Sequence, residues 1–119
     1  MILLKDLLNN LKKNNISFFT GVPDSILKDF CNYLTKLPKK KHIIAANEGS
    51  AISLGIGYYL SKKKIACVYL QNAGLGNAIN PLISIAHKKI YSIPLLLIIG
   101  WRGSPKKKDE PQHILKGKI

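Results

Sequence analysis

The chain has 119 residues, which is enough for one domain with one hydrophobic core. Apolar residues make up 46% and charged residues 21%, and these ordinary proportions exclude disorder over most of the chain. The formal net charge is +13, and three lysine triplets in predicted loops (residues 39–41, 62–64 and 106–108) contribute nine of the positive charges. Nucleic-acid sites usually gather basic residues on one face with arginine or aromatic partners, whereas this chain has a single arginine, Arg102. We therefore expect solvated lysine loops, and a nucleic-acid-binding domain is motivated only by the charge.

Hydrophobic periodicity predicts helices and strands that alternate along the chain. Leucines recur at helical spacing near the start, whereas the later apolar runs are short and bounded by turn-forming or polar residues, as is typical of strands. Residues 101–119 are polar, basic and turn-rich, and we expect them to form a loop or tail. The predicted spans are a helix over the first dozen residues, strand 16–22, helix 26–34, strand 42–46, helix 48–60, strand 65–70, helix 78–87 and strand 94–100.

Polar residues mark two of the helix starts. Asp24 or Ser25 can cap the helix over residues 26–34, and Asn47 is expected to cap the helix that Glu48 opens. This second helix is small and apolar almost all round, so we expect it to be buried.

The alternation of helices with strands that are apolar on both faces predicts an α/β fold. We expect a three-layer arrangement in which a parallel sheet is covered by helices on both faces, forming a single domain over residues 1–119. In such sheets, ligands gather beyond the carboxyl ends of the strands. Those ends are expected at residues 21–25, 47–48, 71–77 and 100–103, where the most informative residues of the sequence lie.

No targeting or membrane-spanning segment is expected. The longest apolar run, residues 93–99, is far too short to cross a bilayer, and the first leucines are interrupted by charged residues. Cys31 and Cys67 form no motif, and the three histidines lack metal-ligand spacing, so we expect no metal site in this chain. A cytoplasmic protein is therefore expected.

Glu48 is the strongest candidate for chemistry. An acidic residue in the first turn of a helix is often merely favoured by the helix dipole and exposed to water. Here, however, the neighbouring residues Ala45, Ala46, Ala51 and Ile52 are apolar, and the position lies at the carboxyl end of a predicted strand. A half-buried glutamate at that place could exchange a proton with a bound heterocycle.

Three other features support weaker interpretations. Gly74 and Gly76 form either a tight strand-to-helix turn or a place where the backbone approaches a ligand or a second subunit. Arg102 is either a surface residue or a two-pronged donor to an anionic substrate or a partner subunit. His113 lies in a polar cluster, Asp-Glu-Pro-Gln-His, that we expect to be a loop near the site.

Four ordered segments carry a resemblance to a known family. They are residues 20–25 (Thr-Gly-Val-Pro-Asp-Ser), 46–49 (Ala-Asn-Glu-Gly), 71–77 (Gln-Asn-Ala-Gly-Leu-Gly-Asn) and 99–103 (Ile-Gly-Trp-Arg-Gly). Together they resemble the N-terminal domain of thiamine-diphosphate-dependent decarboxylases. The resemblance extends from about residue 15 to the C-terminus and is greatest to the decarboxylases of phosphonopyruvate, with the alpha subunits of sulfopyruvate decarboxylases next. The cluster at residues 109–113 is more similar to the former.

The resemblance implies a role for each matching residue. Glu48 would hydrogen-bond N1′ of the aminopyrimidine and so activate the cofactor for attack on a 2-oxo acid, and His113 would bind the anionic group of the substrate or relay a proton. The other residues that it implies are Val22, Pro23, Ser25, Gly74, Gly76 and Asn77 for the cofactor, and Asp24, Arg102 and Gln112 for the substrate.

The sequence also departs from the family pattern. The family holds the diphosphate and Mg²⁺ in a second domain through a Gly-Asp-Gly motif, which does not occur in these 119 residues. The family domain also normally continues with further strands, so the resemblance implies a domain incomplete at its C-terminus. We therefore expect an oligomer in which a partner subunit or domain supplies that motif, and the alternative is an inactive fragment that acts only as an assembly module.

Overall fold

A computed structural model describes residues 3–104 and 108–116 of the chain. Helices and strands alternate through most of this range, as the periodicity predicts. The strands are β1 (Phe19–Gly21), β2 (His42–Ile44), β3 (Ala66–Gln71) and β4 (Leu95–Gly100). The helices are α1 (Leu4–Lys13), α2 (Lys28–Leu34), α3 (Glu48–Lys62), α4 (Leu75–Pro81) and α5 (Pro111–Lys116), with 3₁₀ turns at Ser25–Leu27 and Asn72–Gly74 and a π-helical turn at Leu82–Ala86.

The four strands form one parallel sheet in the order β2-β1-β3-β4. β1 therefore lies between β2 and β3, and β3 pairs with β4 over its whole length, from Ala66 opposite Leu95 to Gln71 opposite Gly100. Because every strand runs in the same direction, all four carboxyl ends lie at one edge of the sheet.

Helices cover both faces of the sheet, which confirms the predicted three-layer α/β fold. Successive residues of β3 point to opposite faces, so Val68 and Leu70 pack in one core whereas Cys67 and Tyr69 pack in the other. The first core is completed by α3 and α4, and the second by α1 and α2. All four of these β3 residues are fully buried, since the strand lies inside the sheet.

Two predicted elements differ from those observed. Residues 71–77 were expected to be a loop before a helix at 78–87, but the chain turns directly into a 3₁₀ turn and begins α4 at Leu75. The prediction that residues 101–119 form only a loop or tail is also wrong, since Pro111 begins the short helix α5. Proline suits the first position of a helix because it has no N–H to leave unpaired. The turn-rich composition of the segment concealed this helix-start signal at Pro111. Residues 105–107 and 117–119 of the predicted tail lie outside the described residues.

Helix α3 is buried on one side only, so the prediction that it is buried all round is wrong. Ala51, Ile52 and Ile56 are in the core, whereas Leu54 and Leu60 are exposed. One face of a single helix suffices to cover β1 and β3, and the other face remains at the surface.

A buried contact between His42 and Tyr69 connects the edge strand β2 to the central strand β3. His42 Nε2 lies 2.8 Å from the hydroxyl oxygen of Tyr69, and both side chains are buried. Burial lowers the pKa of His42 below its ordinary value, an effect that a backbone hydrogen bond involving Leu34 partly opposes. Burial likewise raises the pKa of Tyr69. The folded chain therefore favours the neutral form of both groups.

We expect the chain to lose stability as the pH falls through the ordinary histidine range. Because the pKa of His42 is lower in the folded chain, the unfolded state takes up more protons below about pH 6.5, and this uptake favours unfolding. The urea midpoint measured at pH 8 and at pH 5.5 would test this expectation. His42→Gln keeps a hydrogen-bonding group near Tyr69, and it should reduce the pH dependence; an unchanged pH dependence in this variant would assign the effect to other groups.

No helix in residues 3–104 or 108–116 is long and apolar enough to span a membrane.

Candidate functional site at the carboxyl edge of the sheet

Glu48 is the first residue of α3, at the carboxyl edge of the sheet and shortly after the end of β2 at Ile44. Asn47 caps the helix by accepting a hydrogen bond from the backbone N–H of Ser50 at 2.9 Å, as predicted. The side chain of Glu48 is half-buried, and the positive end of the helix dipole stabilises a negative charge there. The sequence-based expectation of a half-buried carboxyl group at a strand end is therefore confirmed.

Two residues that follow β3 hold the Glu48 carboxylate. Asn77 Nδ2 donates a hydrogen bond to Glu48 Oε2 at 2.8 Å, and Gly74 lies against the side chain itself. A Cβ atom at Gly74 would lie 2.5 Å from Cγ and Cδ of Glu48, so any other residue at this position would force the carboxylate to move. No described residue donates a hydrogen bond to Oε1, which packs against Gly74, so a donor engages only one of the two carboxylate oxygens.

The start of α3 packs closely against the backbone of α4. A Cβ atom at Gly49 would lie 2.7 Å from the carbonyl oxygen of Asn77, so glycine permits the two backbones to approach. This contact brings Asn77 within reach of Glu48. Gly76 lacks such a role among the described atoms, because a Cβ atom there would meet nothing within 4 Å.

A second polar group joins the ends of β1, β3 and β4. Asp24 Oδ1 accepts a hydrogen bond from Gln71 Nε2 at 2.9 Å, and Oδ2 accepts from the N–H of Ile26 at 3.2 Å. Asp24 is thus the cap of the helix start that the sequence left open between Asp24 and Ser25. Its side chain also packs against Gly100, where a Cβ atom would collide with Oδ2. Both oxygens of Asp24 are therefore occupied within the chain.

The remaining residues of the first loop surround this group. Val22 is half-buried, and its N–H donates to the carbonyl oxygen of Tyr69 at 3.1 Å, which continues the β1–β3 pairing. Pro23 and Ser25 are exposed beside it. These three of the residues that the resemblance assigns to the cofactor therefore lie at the same edge as Glu48.

Arg102 is held by two partners that its sequence position alone does not reveal. The side-chain amide of Asn72 pairs with the backbone of Arg102, accepting from its N–H at 3.1 Å and donating to its carbonyl oxygen at 3.2 Å. The guanidinium forms an ion pair with Asp109 at 3.0 Å through Nη2, and Nε donates to the same carboxylate at 3.4 Å. Hydrogen bonds from Arg102 hold the pKa of Asp109 below its ordinary value. Much of the positive charge of Arg102 is therefore already neutralised.

The Arg102–Asp109 pair anchors the segment that leads into α5. Glu110 accepts backbone hydrogen bonds from His113 and Ile114, and its side chain accepts from Gln112 Nε2 at 2.6 Å. His113 therefore lies on a helix and not in the predicted loop. Its Nδ1 atom is buried and has no hydrogen-bond partner among the described residues. Most buried polar atoms do have a partner, so this nitrogen is an exception that needs an explanation.

Sequence reasoning missed the residues that support the site. Gln71, Asn72 and Asp109 each bond to a predicted site residue, and Gly49 sets the approach of α3 to α4. Gln71 and Asn72 could have been predicted as site residues. They are polar residues at the end of the buried strand β3, and polar groups in such a position need hydrogen-bond partners. The pairing of Arg102 with Asp109 could not be read from the sequence, since it depends on how the segment between them turns.

Comparison with known proteins identifies the family. The whole chain, residues 1–119, matches the family described as "Thiamine pyrophosphate enzyme, N-terminal TPP binding domain". The chain belongs to this family. As an N-terminal TPP binding domain, it shares the fold of a solved protein from Mycobacterium smegmatis described as a thiamin diphosphate-dependent enzyme, with a TM-score of 0.64 and 26% identity over 80% of this chain and 18% of that one.

Curated relatives of this N-terminal TPP binding domain are decarboxylases. Phosphonopyruvate decarboxylase of Streptomyces viridochromogenes is 38% identical over all 119 residues, which span 29% of that protein. The alpha subunit of sulfopyruvate decarboxylase from Methanococcus maripaludis is 39% identical over 99 residues, which cover 83% of this chain and 58% of the subunit. The chain therefore spans less than a third of the first relative and somewhat more than half of the second.

The donor set at the carboxyl edge fits the aminopyrimidine of this family's cofactor. The ring nitrogen of an aminopyrimidine can bond a carboxyl oxygen that is not already engaged, and Glu48 offers Oε1, which has no donor among the described residues. The carboxylate is also held in place by Asn77 and Gly74, so its orientation does not depend on a ligand.

Proposed function

We propose that this chain is the pyrimidine-binding half of a thiamine-diphosphate-dependent decarboxylase that converts phosphonopyruvate and a proton into phosphonoacetaldehyde and CO₂. The observation that carries the proposal is the half-buried Glu48 carboxylate, of which one oxygen accepts a hydrogen bond from Asn77 and the other has no donor among the described residues. The 38% identity to a phosphonopyruvate decarboxylase over the full chain supports the choice of substrate.

Glu48 exchanges a proton with the pyrimidine ring in this proposal. Thiamine diphosphate, when bound, supplies the nucleophilic carbon and the electron sink that decarboxylation requires. Glu48 Oε1 would hold the ring nitrogen of the bound cofactor, and because Asn77 keeps the other oxygen oriented, the proton would be exchanged at one defined atom. Gly74 keeps space for the carboxylate. The pyrimidine side of the proposed site would be lined by Val22, Pro23 and Ser25.

The anionic group of the substrate is proposed to lie toward α5. His113 supplies a buried ring nitrogen that has no partner among residues 3–104 and 108–116, and Arg102 supplies the guanidinium N–H groups that do not bond Asp109. Gln112 is exposed at the start of the same helix. Asp24 is revised from a substrate contact to a positioning residue, because both of its oxygens are bonded within the chain and its charge would repel an anion.

A partner completes the enzyme in this proposal. We infer a diphosphate-binding subunit or domain that carries a Gly-Asp-Gly motif and binds Mg²⁺, since this chain of 119 residues contains no such motif. The 39% identity to a protein named as an alpha subunit supports a multisubunit assembly. We further propose that the assembly is a cytoplasmic oligomer.

Reconstitution with a partner tests the proposed activity. The chain would be produced together with the product of an adjacent reading frame that encodes Gly-Asp-Gly, and aldehyde release would be measured with phosphonopyruvate, sulfopyruvate and pyruvate. We expect the greatest kcat/KM for phosphonopyruvate. Equal turnover of pyruvate would reject the phosphonate assignment, and no turnover of any of the three acids by a folded complex would favour an assembly module.

Sulfopyruvate decarboxylation is the second candidate. Two sulfopyruvate decarboxylase alpha subunits are 39% and 40% identical to this chain over the matched residues, which is as high as the 38% identity to a phosphonopyruvate decarboxylase, so sequence identity supports both substrates. A greater kcat/KM for sulfopyruvate in the same assay would favour this candidate.

Asn77→Ala is expected to lower kcat of the assembled enzyme by about tenfold, because Glu48 loses the donor that orients it. The matched control is Asn80→Ala, which removes an exposed amide three residues further along α4 that accepts a hydrogen bond from Ser84. A shift of the pH–rate profile in Asn77→Ala alone would show that the effect acts through Glu48. Equal rates in the two variants would remove Asn77 from the proposed site.

A further inference from the structure

A cavity of about 920 Å³ lies at the amino edge of the sheet, opposite Glu48. We call it the amino-edge cavity, and its charged lining consists of Lys5, Lys12, Lys41 and Lys64. Its volume falls within the range of small-molecule sites, which is about 300–1,000 Å³. It shares no lining residue with the Glu48 site.

Parallel topology explains why lysines from distant parts of the sequence meet here. Lys41 directly precedes β2 and Lys64 closely precedes β3, and the amino ends of parallel strands lie at the same edge. Helix α1 crosses this edge and adds Lys5 and Lys12. Two of the three lysine triplets therefore contribute to one place, although the sequence suggested dispersed solvated loops.

The charge of the cavity is uncompensated. No aspartate or glutamate lines it, and within the described residues none of the four ammonium groups is paired with a carboxylate. Four cations around one concave surface produce a positive potential that attracts anions.

The floor of the cavity is apolar. Leu11 and Phe19 are buried there, and Leu8, Ile16 and Leu37 are partly buried and pack against the same core. Lysine stems can lie along such a surface while their ammonium groups remain at the rim. A simple inorganic anion would pair with the lysines at the rim, but the apolar floor would remain exposed to water.

We propose that the amino-edge cavity binds a small organic anion with an apolar body, such as a carboxylate, sulfonate or phosphate on a hydrocarbon or aromatic group. The anionic head lies among the lysines, and the apolar body covers the leucine and phenylalanine floor. This inference is independent of the proposed decarboxylase function, because the two sites occupy opposite edges of the sheet.

Titration of the full chain with 8-anilinonaphthalene-1-sulfonate, followed by fluorescence and by amide chemical shifts, tests the proposal. We expect saturable binding of one molecule, with shifts centred on Lys12, Phe19 and Lys64 and not on Glu48 or Asn77. Dodecanoate should displace the probe, whereas dodecyltrimethylammonium and inorganic phosphate should not.

Matched lysine variants give the second readout. Lys41→Gln/Lys64→Gln removes two rim charges, and we expect it to weaken probe binding by about fivefold, given the usual strength of exposed charge interactions. Lys88→Gln/Lys89→Gln removes the same charge from exposed positions outside the cavity and should leave binding unchanged. Circular dichroism would confirm that both variants are folded. Unchanged affinity in the first variant, displacement by the cation or by phosphate, or shifts centred on Glu48 would each overturn the proposal.

Discussion

Glu48→Gln is expected to lower the decarboxylation rate of the assembled enzyme by at least about a hundredfold, the usual lower bound for losing a general acid–base group. Glutamine has nearly the same shape, and its oxygen can still accept the hydrogen bond from Asn77. It cannot take up or release the proton that the pyrimidine exchanges. The loss should therefore appear in kcat while the chain stays folded.

The control for this variant is Asp29→Asn. Asp29 is an exposed acidic residue in the first turn of α2, so its amidation removes the same charge from a similar helix position away from Glu48. Both variants should unfold at a similar urea concentration. Retention of more than about a tenth of the rate by Glu48→Gln would contradict the proposed role, since it falls short of the expected general-base contribution.

Gly74→Ala is expected to lower kcat by about tenfold to a hundredfold, because an added methyl group displaces the Glu48 carboxylate from its position. The new Cβ atom would lie 2.5 Å from Glu48 Cγ and Cδ, well inside contact distance. The nearest atoms that the methyl group would meet all belong to the end of the flexible Glu48 side chain, which can move aside, so the variant should fold with little loss of stability. Steady-state kinetics and urea unfolding would measure the two effects separately.

Two other glycines make this result interpretable. Gly57 lies on an exposed part of α3 where a Cβ atom meets nothing within 4 Å, and Gly57→Ala should leave stability equal or slightly higher. Gly76→Ala tests the prediction that this glycine approaches the cofactor: the chain itself has room for the methyl group, so lost activity would place a ligand there. If Gly74→Ala and Gly57→Ala had equal kcat values, the contact between Gly74 and Glu48 would be irrelevant to catalysis.

Local patterns predicted the elements well wherever a residue's own neighbours decide its conformation. The capping residues Asp24 and Asn47 mark two helix starts, and the apolar runs locate all four strands within a few residues. The prediction failed where composition masked a stronger local rule, as at Pro111, which begins α5 inside a segment expected to be a loop.

The sequence by itself determined the parallel α/β class, because that class follows from the periodicity of the apolar residues. The position of polar residues after apolar strands also predicted the carboxyl edge and Glu48 for the site that we propose. Only the tertiary structure decided which partners each side chain has. Asn77 meets Glu48, and Asp109 meets Arg102, because separate segments converge where strands end. Lysines that are far apart in the chain likewise share one cavity because parallel strands begin at the same edge. Contacts of this kind depend on the order and direction of the strands, which no short stretch of sequence contains.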